Sequence, residues 1–489
     1  MSPVLIILAL VFLLAGLLLL NVLRLQQKLD DVEAAPSVAI DGQAVSEHLA
    51  QAIRLKTISA RDGTDHNSQP FLDLHAWIEQ TYPLLTRTLE KTIINNLSLL
   101  YTWQGTDQTL QPVLLNAHMD VVPVDPQSNR EWSIDPFGGE IHDGFIWGRG
   151  ALDMKCTLVG ILEAVEMLLA RGYQSRRTIL LAFGHDEEIM GYEGTVKIVE
   201  HLKSKNTQLA AVLDEGGMVS HGSLEGIDEP VALIGIAEKG YLTMDLSARG
   251  KPGHSSRPPR QTAVGILARA IALMDDHPMP ARLDYFLPTL KKIGYLMPFI
   301  QQLALTNSFL FKSLIIKRLE KKPETNALLR TTHAATMVSG GIKDNVLPAS
   351  ASAKVNFRLL PGDSIKEVIA YFSKVIRDPR VQIEVDQAAG GWEASQVSST
   401  DTPAYRSLEL VIRQIFNNVP AAPFIFLAAT DSRYYQPICS NIFKFSPHIL
   451  TPEEQSRVHG IDERISQKSL SQMAAFYFRL IQVWGDAGF

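Results

Sequence analysis

The chain is 489 residues long and 46% hydrophobic, enough for a sizeable core and more than one ordinary domain. Its net charge of -6 is small and no basic stripe runs along it, which argues against nucleic acid as a partner. Its two cysteines, Cys156 and Cys439, exclude a disulfide framework and match no zinc-ribbon spacing, so any metal must be held by histidine and carboxylate.

The first element is an apolar run of 20 positions, Val4 to Leu23, interrupted only by Asn21. At 1.5 Å rise per residue it spans about 30 Å, the thickness of a bilayer's hydrocarbon core. No Lys or Arg precedes the run, while Arg24 and Lys28 follow it directly. An uncleaved single-span membrane anchor is therefore favoured over a cleaved signal peptide. Those two cations put the C-terminal flank on the cytoplasmic side, but Asp30, Asp31 and Glu33 dilute the signal and leave the orientation open. Residues 24–38 read as a polar stalk.

From 39 to 238 helical and strand patterns alternate, as in an α/β domain with a mostly parallel central sheet. Three apolar, β-rich runs each end on chemistry: VLLNA on His118 and Asp120, TILLAF on Glu187 and Glu188, AAVL on Asp214. Between the first two, Asp153 follows a turn containing Gly148 and Gly150 and precedes a long helix, residues 156–173.

Near Gly240 the pattern changes. The run 241–250 alternates strictly, with Leu242, Met244, Leu246 and Ala248 on one face, which marks a sheet with one wet side. A helix, two strands, a second helix and the strand VQIEV follow, giving the β-α-β-β-α-β order of a ferredoxin-like unit. Residues 239–393 therefore read as a smaller domain inserted into the larger one. Within it, 280–325 is an additional Leu-, Ile- and Phe-rich segment with scattered Lys. A membrane-facing patch and a dimer contact are open readings for it, with cover helices favoured. The larger domain resumes at 394, with FIFLAA as a core strand, and carries His459 in a polar loop before the closing helix.

Buried strands that end on carboxylates need a compensating charge nearby, and two divalent cations would supply it. His118 and Asp120 alternate in a strand end, so both point the same way, and Asp120 can hold the far nitrogen of a metal-bound imidazole. Alone, such a pair is weak evidence, and Asp153 is equally explained as a helix cap. The adjacent Glu187 and Glu188 are harder to explain blandly, because neighbouring carboxylates repel unless a cation or shared proton relieves them. One can ligate while the other activates water, a division of labour suited to metal-assisted hydrolysis. Asp214 and His459 taken singly are more often structural.

The motifs LLNAHMDVVPV, WSIDPFGGEIHDGFIWGRGALDMK, FGHDEEIMG, LDEGG, GKPGHSSRP, SGGIKDNVLPASA and SPHILTPEEQSRVHGIDE together span most of residues 85–470. They resemble the dinuclear zinc exopeptidase family of aminoacylases, glutamate carboxypeptidase, carnosinases and Gly-Xaa carboxypeptidases, closest to the Gly-Xaa carboxypeptidase and N-acyl amino acid hydrolase branch. The resemblance implies a catalytic domain with an inserted lid and dimerisation domain. It implies two zinc ions, with cobalt or manganese also suiting such ligands. His118, Asp153, Glu188, Asp214 and His459 would be the metal ligands, Asp153 bridging. Glu187 would activate water, Asp120 would orient His118, and His254 would polarise the scissile carbonyl, often in a neighbouring subunit's site. Asn345 and Arg358 would hold substrate, Arg358 pairing bidentately with a free carboxylate, and Gly340 and Gly341 would let substrate approach the backbone. The expected substrate is a small peptide or an N-acyl amino acid. The competing readings are an aminopeptidase or dipeptidase of the same family, and a membrane-anchored binding protein without catalysis.

Overall fold

Three runs are apolar at nearly every position, and such runs are stable only where both sheet faces are covered. In the computed structural model, which describes residues 2–25, 31–59, 67–222, 226–387 and 390–486, they form parallel neighbours at the centre of the larger sheet. Val113–His118 lies between Ile179–Gly184 and Ala211–Asp214, and all residues of the three strands are buried. The sheet is mixed. Ser98–Trp103 and Glu90–Ile94 extend it antiparallel on one side, while Ile442–Lys444 continues it parallel on the other. Ala421–Phe426 pairs in parallel with Val231–Glu238. The helices Gly42–Arg54, Lys155–Ala170 and Gln467–Gly485 pack on one face, where Leu49, Leu158, Leu162, Phe476 and Leu480 enter a single core.

The second sheet keeps the alternation of its sequence. Leu242, Met244, Leu246 and Ala248 of Gly240–Arg249 are fully buried, while Tyr241, Asp245 and Ser247 on the other face are only partly so. Ser350–Leu359 and Val381–Val385 flank that strand, Thr332–Gly340 forms an outer edge, and Gly391–Trp392 adds a short pairing. Helices Ala263–Asp276 and Ile365–Ile376 cover one face and make a separate core with Leu267, Phe357, Val368 and Phe372. The intervening Leu- and Phe-rich segment does not join that core. Its Leu283, Phe286, Leu290, Leu305 and Leu329 pack into the large one, so these residues are cover for the larger sheet.

The apolar N-terminal run forms one helix, Pro3–Leu25, largely exposed except at Val22. At 1.5 Å per residue it is about 35 Å long, enough to cross a bilayer.

Candidate active site

Because the three central strands are parallel, their C-terminal ends emerge at one edge, where α/β sheets hold their ligands. His118 is the last residue of one strand, Glu187 and Glu188 follow another after a short turn, and Glu215 is the first residue beyond the third. Asp153 arrives from the loop before helix Lys155–Ala170, and His459 from a C-terminal loop in which it adopts a left-handed backbone (φ 59°).

These side chains meet around Asp153. Its Oδ1 lies 3.0 Å from His118 Nε2 and its Oδ2 lies 3.0 Å from His459 Nε2. Each imidazole also faces a second acid, His118 with Glu215 Oε1 at 3.6 Å and His459 with Glu188 Oε1 at 3.1 Å. Glu187 completes the group: ligand atoms of His118, Glu187 and Glu215 all lie within 4.8 Å of one another, as do those of His118, Asp153 and Glu188.

The supports are as specific as the cluster. Asp120 accepts the backbone N–H groups of Glu187 and Glu188, both at 3.1 Å, and the Ser59 hydroxyl at 2.6 Å. His118 Nδ1 is held by the Asp120 carbonyl at 2.9 Å, with the Asp120 carboxylate at 3.3 Å. One buried aspartate thus fixes the imidazole and both glutamates together. Asp153 does not cap its helix. Its loop is tied down by Glu463, fully buried, whose carboxylate accepts from the N–H groups of Gly150, Leu152 and Asp153 and from Arg149. Gly150 is required in that loop: its φ is 91°, and a Cβ there would sit 2.8 Å from Val121.

Asp214 is a correction to the sequence reading. Its carboxylate is occupied elsewhere, accepting from Asn116 Nδ2 and the Ser432 N–H, both at 2.9 Å. Strand alternation explains this. Asp214 is still inside its strand, on the face it shares with Val212 and with its bonded neighbour Asn116, whereas Glu215 is the first residue beyond the strand and reaches His118. A doubly buried strand shows no polar side in its sequence, so nothing in AAVLDE separated the two acids. The signal available was the adjacent pair itself.

Burial and charge together raise most of the cluster. Hydrogen bonds to Asp153 and Glu188 push His459 up to about 10. Burial opposes the same shift at His118, yet the Glu215 charge and the bonds to Asp120 and Asp153 carry it well above its ordinary value. Burial, then the Asp153 charge, lifts Glu215 to about 8, and burial first of all raises Glu187 and Glu188. Burial also works against ionisation of Asp153, but its two histidines hold it below the usual carboxylate range. Both imidazoles and three of the four carboxylates, Asp153 excepted, take up protons more readily than in water, as expected of a cluster short of positive charge. That donor set, oxygen and imidazole without thiolate, fits divalent ions of the zinc, cobalt or manganese kind.

The cluster opens into a cavity of about 900 Å³. Its other wall comes from the second sheet, where register sets Arg358, Tyr241 and Trp392 side by side on three adjacent strands. The Tyr241 and Trp392 rings stack at 4.7 Å, with the Arg358 guanidinium 5.1 Å from Tyr241 and Arg433, from the larger sheet's side, 4.9 Å from Trp392. Arg433 is engaged with the Thr430 carbonyl and the Tyr434 hydroxyl. Arg358 has no hydrogen-bonding or anionic partner among the described residues, and it faces the cavity.

His254, Asn345, Gly340 and Gly341 are not among the residues lining the cavity. His254 is exposed and pairs in a two-residue ladder with Val346, next to the Asn345 carbonyl that accepts from Ser255. Gly340 packs closely on Ala351 and Val264, and Gly341 turns the chain at φ 83°.

Residues 114–483 match the sequence profile of peptidase family M20/M25/M40. An N-fatty-acyl-amino acid synthase/hydrolase, PM20D1, of Xenopus tropicalis is 38% identical over 445 residues, covering 89% of this chain and 85% of that protein. A probable carboxypeptidase S-like 2 of Dictyostelium discoideum is 37% identical, covering 95% and 91%. Among solved structures, the M20 family metallo-carboxypeptidase Sso-CP2 of Sulfolobus solfataricus shares the fold with a TM-score of 0.64 at 17% identity, over 91% of this chain and 100% of that one. Human carnosine dipeptidase 1 does so at 0.59 and 14%, over 91% and 96%.

Proposed function

The chain belongs to peptidase family M20/M25/M40 and is a metal-dependent amide hydrolase, and from that premise we propose that it removes the acyl group of N-acyl amino acids or the last residue of short peptides. The observation that carries this reading is the opposition of Glu187 and the Asp153 cluster to Arg358, a cation with no counter-charge among the described residues, across one cavity.

His118 and Glu215 would hold one metal ion and His459 and Glu188 a second, with Asp153 between them, and zinc suits this set. When bound, the metal pair would polarise the amide carbonyl and increase the acidity of a water molecule. The protein's own part is proton transfer and positioning. Glu187, whose carboxyl burial keeps readily protonated, accepts the proton of the attacking water and returns it to the leaving nitrogen. Asp120 fixes Glu187 through its backbone and His118 through its ring, so the base keeps one geometry through the cycle. Arg358 pairs with the free carboxylate of the substrate, and the Tyr241–Trp392 stack offers an apolar wall beside it. An aminopeptidase would need the opposite charge at that wall.

His254 and Asn345 would polarise and hold substrate after closure of the inserted unit or across a homodimer, as the family resemblance implies. The N-terminal helix would anchor the enzyme in a membrane. The test is a panel of blocked dipeptides and fatty-acyl amino acids, each offered with a free carboxylate and as the carboxamide, to zinc-loaded protein. Hydrolysis restricted to the carboxylates is expected. Equal rates on the carboxamides would remove Arg358 from the reading.

A further inference from the structure

Away from the cavity, Phe309, Leu310 and Leu314 are 77%, 54% and 61% exposed on the helix Ser308–Leu319, which has no buried residue at all. Large apolar side chains clustered in water are unfavourable and mark a contact surface. Their position relative to the N-terminal helix identifies the contact. Asn307, fully buried at the start of this helix, accepts a hydrogen bond from Asn21 Nδ2 at 2.9 Å and donates to the Leu18 carbonyl at 3.3 Å. Earlier in the same segment, Gly294 lies against Leu25. The chain therefore descends along the N-terminal helix from the level of Leu25 to that of Leu18. Leu18 and Asn21 are two to five residues inside the end of the apolar run, so Asn307 sits roughly 3–8 Å below that end at 1.5 Å rise per residue. Phe309 and Leu310 follow immediately.

The charges agree with the depth. Between 308 and 322 the sequence holds Lys312, Lys317, Arg318, Lys321 and Lys322 against one acid, Glu320, which is paired with Arg330. Exposed Phe and Leu interleaved with Lys and Arg on a short helix is the composition of elements that lie in the headgroup layer.

We propose that the helix Ser308–Leu319 is a second membrane contact, lying in the interface of the leaflet from which Arg24 emerges and favouring anionic lipid. It would hold the folded body against the bilayer, whereas the span alone would leave it free to tilt. The proposal rests on the N-terminal helix being a retained anchor.

The test uses the full chain in lipid nanodiscs, with an environment-sensitive fluorophore on single cysteines at Phe309→Cys, Leu314→Cys, Leu10→Cys within the span, and Lys203→Cys as a water-facing reference. Cys156 and Cys439 do not compete, because both are buried and burial raises their thiols. Blue-shifted emission at 309 and 314 with quenching by spin-labelled lipid, stronger with phosphatidylglycerol than with phosphatidylcholine alone, is expected. A blue shift without lipid quenching means that protein, such as a second copy, covers the helix, and overturns the proposal. Water-like emission at 309 and 314 with Leu10→Cys quenched also overturns it while leaving the anchor standing. Loss of quenching at all three positions removes the anchor as well.

Discussion

The two sheets carry their chemistry in different places. In the larger sheet both faces are sealed, so functional side chains appear only where strands stop: His118, Glu187, Glu188 and Glu215 all lie at or beyond a strand end. In the smaller sheet one face is open, so Arg358 and Tyr241 face the cavity from positions inside their strands, each one residue from a strand end. A covered sheet thus provides a rigid, poorly solvated edge suited to crowding charges. An open sheet provides a surface suited to recognition. The cavity forms where the two meet.

The largest effect that would sharpen this division is at the edge. Glu187→Gln should lower kcat by about 10²–10⁴-fold with KM and metal content little changed, measured by steady-state kinetics and elemental analysis. If activity survives, the proton carrier lies elsewhere. Next, the two neighbouring acids should separate cleanly. Glu215→Gln should release metal on dialysis, whereas Asp214→Ala should keep it and instead lose about 1–3 kcal/mol of stability through the unpaired Asn116 and Ser432 donors. The reverse outcome would restore Asp214 as the ligand. On the open sheet, Arg358→Ala should raise KM for carboxylate substrates about 10–100-fold, the equivalent of losing one charge-assisted hydrogen bond, with kcat less affected. An unchanged KM would sever the recognition role from that face.

The smallest effect concerns pH. Glu215 is raised to about 8 and His459 to about 10 in the fold, both above their ordinary values of about 4.5 and 6.5. For such groups the folded state binds protons more tightly. Their stabilising contribution is complete below the unfolded values and is lost as pH climbs through the folded ones. Metal-free protein should therefore show a Tm that declines between about pH 5 and 10, and added zinc should flatten the decline by replacing protons. A metal-free Tm that rises over that window would contradict the shared direction of these shifts.

Much of this was legible in the chain. Alternation along 241–250 and 351–360 separated the buried from the open face of those two strands, Arg358 included, because a sheet with one wet side must write that asymmetry into its sequence. The motifs likewise brought His118, Asp153, Glu188 and His459 to one expected cluster, which the structure assembles. The segment around 283–329 was less legible. Its apolar residues fit either core by composition, and only the packing shows that they cover the larger sheet.

What the amino-acid order determined by itself was the pair of sheets, the long apolar helix and the residue types gathered for metal chemistry, since periodicity and strand-end charge are local properties. The choice of Glu215 over Asp214, the anchoring of the Asp153 loop by Glu463 and the distance of His254 from the cavity were decided only in three dimensions. Each depends on which neighbour lies across a face or a joint. In strands buried on both sides, or between units far apart in the chain, no hydrophobic pattern records that neighbour.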